Sequence, residues 1–168
     1  MPLWLIGMMG SGKSTVGQAL ATRTGRPFLD TDLLVEDAAG LAVVEVFEEE
    51  GEAAFRVHES EAIRVAADVT GAVVATGGGA VLLKDNVRVM KSAGPVVWLQ
   101  ADPVTLADRI GIAPGRPLLM DFDVAKRLSV ILEDRRDAYE NAADHIVATD
   151  DTTVEEVAEL VEKLWNAS

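Results

Sequence analysis

The chain has 168 residues, which is typical of about one domain, and 49% of them are hydrophobic, enough for a sizeable core. Its net charge of −13 disfavours nucleic acids and anionic membranes as partners, because like charges repel. The absence of cysteine excludes disulfides and thiolate metal sites. The sequence has neither a leader pattern nor an apolar stretch of membrane-spanning length, so we expect a cytoplasmic protein.

Strand and helix patterns alternate along the chain, which is typical of a parallel sheet covered by helices on both faces. Most predicted strands are short apolar runs without alternation, as expected for strands buried on both sides. They cover residues 3–6, 27–29, 72–75, 96–99 and 145–147. The predicted helices cover residues 13–24, 31–39, 42–50, 52–67, 84–92, 103–109, 124–141 and 153–165. The sequence therefore predicts a single α/β domain over residues 1–168.

The most informative motif follows the first predicted strand. Residues 7–14 read Gly-Met-Met-Gly-Ser-Gly-Lys-Ser and fit the phosphate-loop pattern G-x-x-x-x-G-K-[ST]. The glycines let backbone N–H groups face a phosphate, and the following helix adds positive potential. We expect Lys13 to reach the β- and γ-phosphates and the Ser14 hydroxyl to bind Mg²⁺. A glycine-rich turn with an incidental lysine is the alternative.

Two carboxylates, Asp30 and Asp32, follow the second predicted strand. Ligands of parallel α/β sheets bind at the carboxyl ends of the strands, where such a pair can serve a metal and a hydroxyl nucleophile. Capping of the next helix is the alternative role for either residue. The apolar run before Gly77 ends without a carboxylate, so Asp30 is the expected metal-side residue, binding Mg²⁺ directly or through water.

Three consecutive glycines, residues 77–79, follow the third predicted strand. Glycines at a strand end permit close backbone approach to a ligand and present N–H donors, although a flexible turn has the same composition. Two arginines lie on predicted helices: Arg56 with Glu59, and Arg135 with Tyr139. Alone, each arginine would be interpreted as a solvated surface charge.

Residues 110–123 interrupt the alternation of strands and helices. The segment contains Pro114, Gly115 and Pro117 and is too irregular for a helix. A loop of this length in a phosphate-handling domain is a candidate lid that closes over the reactants. Arg116 lies within it and is therefore a candidate for contact with the phosphates.

Together these segments resemble the shikimate kinase family, in order and over essentially the whole chain. The matching segments are residues 7–14, 30–32, 55–59, 73–81 and 116–119, and Arg135 followed by Tyr139. The resemblance implies transfer of the γ-phosphoryl group of ATP, with Mg²⁺, to the 3-hydroxyl of shikimate in chorismate and aromatic amino-acid biosynthesis. It also implies a three-layer phosphate-loop kinase fold whose five-stranded parallel sheet has the order 2-3-1-4-5.

The same resemblance implies roles for individual residues. Asp32 would bind the substrate hydroxyls and accept a proton, while Lys13 and Arg116 would stabilise charge on the migrating group. The residues implied to bind shikimate are Asp32, Arg56, Gly78, Gly79 and Arg135, from a helical region of about residues 31–62 and beyond. The residues implied to bind ATP are Gly10, Ser11, Gly12, Lys13, Ser14, Thr15, Arg109 and Arg116, and those implied for Mg²⁺ are Ser14 and Asp30. Phe47, Phe55, Pro117 and Leu118 would form an apolar wall, with Glu59 steadying an arginine.

Two other functions stay open at this level. A gluconate kinase would share the phosphate loop and also act on a hydroxylated carboxylic acid. A catalytically silent nucleotide-binding relative would be expected to lack Lys13, Asp32 or Arg116, all of which are present. The resemblance also suggests a monomer whose partners are ATP and shikimate. Residues 149–152 are acidic, and we make no prediction about a second adenine contact from them.

Overall fold

The computed structural model describes residues 1–111 and 121–168. Its strands are β1 (Leu3–Ile6), β2 (Phe28–Asp30), β3 (Val73–Ala75), β4 (Val96–Gln100) and β5 (His145–Ala148). Its helices are α1 (Lys13–Thr24), α2 (Thr31–Ala39), α3 (Val43–Glu49), α4 (Glu52–Ala67), α5 (Lys84–Ala93), α6 (Pro103–Gly111), α7 (Asp121–Ala142) and α8 (Val154–Asn166). A short 3-10 helix, Ala80–Leu82, follows β3 and was not predicted.

The five strands form one parallel sheet in the order β2-β3-β1-β4-β5. This order confirms the prediction. At the centre, Leu5 of β1 is in register with Ala75 of β3 on one side and with Val97 of β4 on the other. The carboxyl ends of the central strands therefore lie together at one edge of the sheet, which is where parallel α/β sheets bind ligands.

Helices cover both faces of the sheet, because successive residues of a strand point to opposite sides. Trp4 and Ile6 of β1 belong to a buried cluster that includes side chains of α4, α5, α6 and α7. Leu3 and Leu5 belong to a second cluster formed with α1 and α8. All four β1 residues are buried, which explains their continuous apolar sequence and confirms the three-layer architecture.

A smaller apolar cluster lies beside the sheet, between α2, α3 and α4. Its buried members are Val35, Val46, Phe55 and Ala62. The cluster fixes α4 against α2, the helix that begins directly at the end of β2. As a result, the residues just after β2 and those on the inner side of α4 face each other.

The predicted elements agree with the structure except at their ends. Helix α6 continues to Gly111 and α7 already begins at Asp121, so both ends of the segment predicted as an irregular lid, residues 110–123, are helical. The predicted ends of these two helices were wrong because proline and glycine indicate where a helix ends only to within a few residues. Thr153 forms a capping box with Glu156 at the start of α8, at distances of 2.8 and 3.2 Å. No helix within the described ranges is both long and apolar enough to cross a bilayer.

Candidate active site

The phosphate loop connects β1 to α1 and curls into a cradle. Gly10 and Gly12 have φ angles of +80° and +91°, which other residues rarely adopt. The turn is closed by the Ser11 N–H, which donates to the Met8 carbonyl at 3.2 Å. Gly12 caps α1, so the positive end of that helix faces the inside of the loop. This geometry is that of an anion-binding nest at a helix N-terminus.

Lys13 extends back across this loop. Its Nζ donates to the Met8 carbonyl at 2.9 Å. Burial lowers the pKa of Lys13 to about 8, and the nearby negative charges of Asp32 and Asp30 oppose that shift. An incoming phosphate would add negative charge and favour the ammonium form. A bound phosphate would therefore raise the pKa of Lys13 back towards its ordinary value.

One cavity, of about 540 Å³, lies on the α8 side of the loop. Arg109 of α6 lies in its wall and donates to the Thr149 hydroxyl at 3.0 Å, to the Gly10 carbonyl at 3.4 Å and to the Thr149 carbonyl. The lining residues are Gly10, Ser11, Gly12, Lys13, Ser14, Thr15, Val16, Arg109, Thr149, Thr152, Thr153, Val154 and Val157. The phosphate loop at one end and an anchored guanidinium at the other suit a nucleoside polyphosphate.

A second cavity, of about 370 Å³, lies on the other side of the loop. It shares Gly10, Lys13 and Ser14 with the first cavity. Its remaining lining residues are Met9, Asp30, Asp32, Val43, Phe47, Phe55, Arg56, Glu59, Thr76, Gly77, Gly78, Gly79 and Arg135. The two cavities thus meet at the residues expected to hold the transferred phosphate, and the second one combines carboxylates, arginines and an aromatic wall. The rings of that wall, Phe47 and Phe55, stack with centroids 4.3 Å apart.

Asp30 caps a helix and also contacts the serine that is predicted to bind Mg²⁺. One of its carboxylate oxygens accepts the Asp32 N–H at 3.0 Å and caps α2. The other accepts the Ser14 hydroxyl at 2.7 Å. In the described part of the chain, no group of three or more acidic or histidine side chains is arranged so that it could hold a metal ion. A hydroxyl with one neighbouring carboxylate fits Mg²⁺, which prefers few protein ligands alongside water and phosphate oxygens.

Asp32 projects into the second cavity beside Gly77. An added Cβ at Gly77 would lie 2.8 Å from an Asp32 oxygen and 2.9 Å from a Glu59 oxygen, so a larger residue there would displace the two carboxylates. Burial, followed by the charges of Asp30 and Glu59, raises the pKa of Asp32 to about 6, with Lys13 acting in the opposite direction. At neutral pH the carboxylate is ionised yet retains more proton affinity than an exposed aspartate.

Arg56 is held in place by acidic partners on its own helix. It donates to Glu59 at 2.8 Å and to Glu52 at 3.3 Å. Glu59 is almost completely buried, with 1% of its side chain exposed. Burial raises the pKa of Glu59, against the effect of the Arg56 charge. The contact confirms that Glu59 steadies an arginine, and it leaves the Arg56 guanidinium oriented before any substrate binds.

The structure brings together all the site residues predicted within the described ranges. Arg116, Pro117 and Leu118 lie outside those ranges. Several site residues were not found by sequence reasoning: Thr149, Thr152 and Val154 around the first cavity, and Thr31 and Thr76 beside the second. These residues follow the carboxyl ends of β2, β3 and β5, where parallel α/β sheets bind ligands. That position in the sequence was the only feature from which they could have been predicted. Thr149 and Thr152 belong to the acidic segment about which we made no prediction.

The fold and the site together define a phosphate-loop kinase. The parallel sheet supplies the nucleotide cradle, and the second cavity receives an acceptor beside the lysine. This class transfers a phosphoryl group from a nucleoside triphosphate by positioning and charge neutralisation.

Comparison with known proteins identifies the family within this class. The family model described as shikimate kinase matches residues 9–165. A shikimate kinase from Symbiobacterium thermophilum is 46% identical over 98% of this chain and 96% of that protein. A solved shikimate kinase from Acinetobacter baumannii, in complex with shikimate, is 32% identical with a TM-score of 0.89, covering 99% of this chain and 93% of that one. The Bacteroides thetaiotaomicron enzyme, 30% identical over 99% and 98% of the two chains, has a TM-score of 0.90. The chain belongs to the shikimate kinase family.

Proposed function

We propose that the chain transfers the γ-phosphoryl group of ATP to the 3-hydroxyl of shikimate, giving shikimate 3-phosphate and ADP. The product enters the route to chorismate and the aromatic amino acids. The observation that carries this proposal is the second cavity, which opens on Lys13 and brings the Asp32 carboxylate together with two arginines, Arg56 and Arg135. Its contents suit a small molecule that has both hydroxyl groups and a carboxylate.

Asp32 is proposed to position the acceptor hydroxyl and to take its proton. With a pKa of about 6, the carboxylate is ionised at neutral pH and accepts a hydrogen bond from the hydroxyl. As the acceptor oxygen bonds to the γ-phosphorus and the bond to ADP breaks, the hydroxyl proton passes to Asp32. This assignment needs only a modest base, because phosphoryl transfer depends mainly on alignment and charge.

Arg56 and Arg135 are proposed to bind the substrate carboxylate. The planar fork of arginine matches a carboxylate with two parallel hydrogen bonds. The contacts of Arg56 with Glu59 and Glu52 fix its orientation beforehand, which reduces the entropy lost on binding. Because the carboxylate takes no part in bond making, this clamp acts equally in the ground and transition states and determines KM rather than kcat.

On the donor side, Lys13 and the phosphate loop are proposed to hold the β- and γ-phosphates, and Ser14 with Asp30 to hold Mg²⁺. When bound, Mg²⁺ neutralises phosphate charge. Arg116 is proposed to add a further positive charge from a lid segment between α6 and α7. In comparable enzymes such an arginine contributes roughly 10³–10⁵ in rate. Arg116→Ala should therefore lose turnover by orders of magnitude and keep shikimate binding, as measured by calorimetry. Near-normal turnover would reject the role.

The decisive experiment is a coupled assay of ADP release with Mg-ATP and shikimate, quinate, gluconate or no acceptor. We expect shikimate-dependent turnover that disappears in Lys13→Ala and persists in the matched control Lys163→Ala, which alters an exposed pair on α8. Turnover with gluconate alone would keep the donor site and reject the acceptor assignments. ATP binding without turnover on any acceptor would indicate a silent relative.

A single domain, a monomeric state and a cytoplasmic location are also proposed, on the family resemblance and the acidic composition. Light scattering coupled to size-exclusion chromatography tests the oligomeric state. A mass near the 17.9 kDa of one chain is expected, and a mass twice as large would reject the monomer.

A further inference from the structure

The only tyrosine of the sequence, Tyr139, lies behind the second cavity without lining it. It belongs to α7 and is completely buried. Its hydroxyl donates to the Gly78 carbonyl at 2.6 Å. Its ring stacks on Trp98 of β4, with centroids 5.2 Å apart and planes inclined by 16°. The sheet thus fixes the ring, and the ring holds the hydroxyl against the glycine segment.

The contact with Gly78 also determines how the next peptide N–H points. The described peptide bonds are trans, and in a planar trans peptide the C=O of one residue and the N–H of the next point in opposite directions. Fixing the Gly78 carbonyl towards Tyr139 therefore directs the Gly79 N–H away from Tyr139. Gly79 lines the cavity, and its N–H has no hydrogen-bond acceptor among residues 1–111 and 121–168.

We propose that Tyr139 is a positioning residue for the acceptor substrate, whose hydroxyl locks the Gly78–Gly79 peptide so that the Gly79 N–H donates to shikimate. This inference rests on the proposed function. Consecutive glycines have many accessible backbone conformations, so a free segment would lose entropy when the substrate orders it. Turn hydrogen bonds from Ala80 and Leu82 restrain the Gly77 and Gly79 carbonyls, and the Tyr139 contact restrains the peptide between Gly78 and Gly79.

Two further observations support this role. On the other side of the segment, the Gly77 N–H donates to the buried Thr31 hydroxyl at 3.0 Å, so the glycines are held from both ends. Burial raises the pKa of Tyr139 to about 12, against the effect of the neighbouring Arg135 charge. The hydroxyl therefore remains a proton donor at every pH at which the enzyme is assayed.

Tyr139→Phe tests the proposal, because it keeps the ring and its stacking on Trp98 and removes only the hydroxyl. We expect KM for shikimate to rise by about 5- to 20-fold, the effect of one strong hydrogen bond, and calorimetry to show the same loss of affinity. KM for ATP and kcat should change less than about twofold. The matched control is Val161→Ala, which removes buried apolar volume from the cluster on the α8 side of the sheet and leaves both Tyr139 and its stacking partner unchanged. It should lower the melting temperature while leaving KM for shikimate near the wild-type value.

A second measurement uses the wild-type chain with 3-fluorotyrosine at its single tyrosine. The label gives one ¹⁹F resonance, which should shift on saturation with shikimate and stay in place with ADP alone. A folded Tyr139→Phe variant with wild-type KM for shikimate would overturn the proposal. If that variant does not fold, an unmoved ¹⁹F resonance would overturn it instead. Failure of the wild-type chain to phosphorylate shikimate would reject the proposed function itself, so the two failures are distinguishable.

Discussion

Replacing Asp32 by asparagine should stabilise the fold while abolishing turnover. Burial and the neighbouring charges of Asp30 and Glu59 raise the pKa of Asp32 from 3.8 to about 6. One pKa unit corresponds to about 1.4 kcal/mol, so ionised Asp32 costs the folded state about 3 kcal/mol relative to the unfolded chain. The cost begins as the pH rises above 3.8 and is complete above about 6. Asp32→Asn should raise the free energy of unfolding by up to about 3 kcal/mol near neutral pH.

Urea denaturation followed by circular dichroism, at about pH 8, about pH 6 and about pH 4, measures this free energy of unfolding. The stabilisation should be largest at the highest pH and fall below about 1 kcal/mol at the lowest, where Asp32 is protonated in the folded state and still partly ionised in the unfolded chain. The control is Asp37→Asn, which removes the same charge from an exposed position of α2. A stabilisation independent of pH, or none at the highest pH, would refute the electrostatic reasoning.

Three further predictions follow from the second cavity. The value of kcat/KM for shikimate should fall below about pH 6 as Asp32 gains its proton, and Glu59→Gln should move this acid limb to lower pH because it removes a neighbouring negative charge. An unmoved limb would contradict this coupling. Arg56→Lys should raise KM for shikimate by about 10- to 100-fold with a smaller effect on kcat, because lysine loses the two-pronged contact; the exposed Arg64→Lys on the same helix should change neither constant. Thr31→Val should lower the free energy of unfolding by about 1–3 kcal/mol, because it leaves a buried N–H without an acceptor. Urea denaturation checks this loss, and a stability equal to wild type would show that the contact contributes little.

The order of elements was predictable because each one carries a local signal. The apolar run of β1, the glycines after it and the periodic pattern of α1 give boundaries that agree with the structure at both ends. The ends of α6 and α7 were not predicted correctly, because no capping residue marks them and the nearby prolines only limit their extent. Strands β4 and β5 each extend one residue further than predicted, at Gln100 and Ala148.

Residues of the site were predictable where the chemistry sits in a continuous motif. Lys13, Asp32 and the glycines after β3 belong to short patterns with a clear chemical meaning. The hydroxyl contacts of Thr31 and Tyr139 join positions 46 and 61 residues apart. Such contacts depend on how α2 and α7 pack against the sheet, which cannot be predicted from the local sequence. The pKa shifts of Asp32 and Lys13 were inaccessible for the same reason, since burial dominates both.

The meeting of the two cavities at Gly10, Lys13 and Ser14 has a consequence for inhibitor chemistry. A nucleotide mimic that fills the first cavity alone contacts features shared by many phosphate-loop proteins. A compound that continues across Lys13 into the second cavity would also contact its arginines and its paired aromatic rings. Joining the two halves makes the second contact intramolecular, so affinity rises through effective concentration. Selectivity would then come from the half of the compound in the second cavity, because fewer phosphate-loop proteins have that set of side chains.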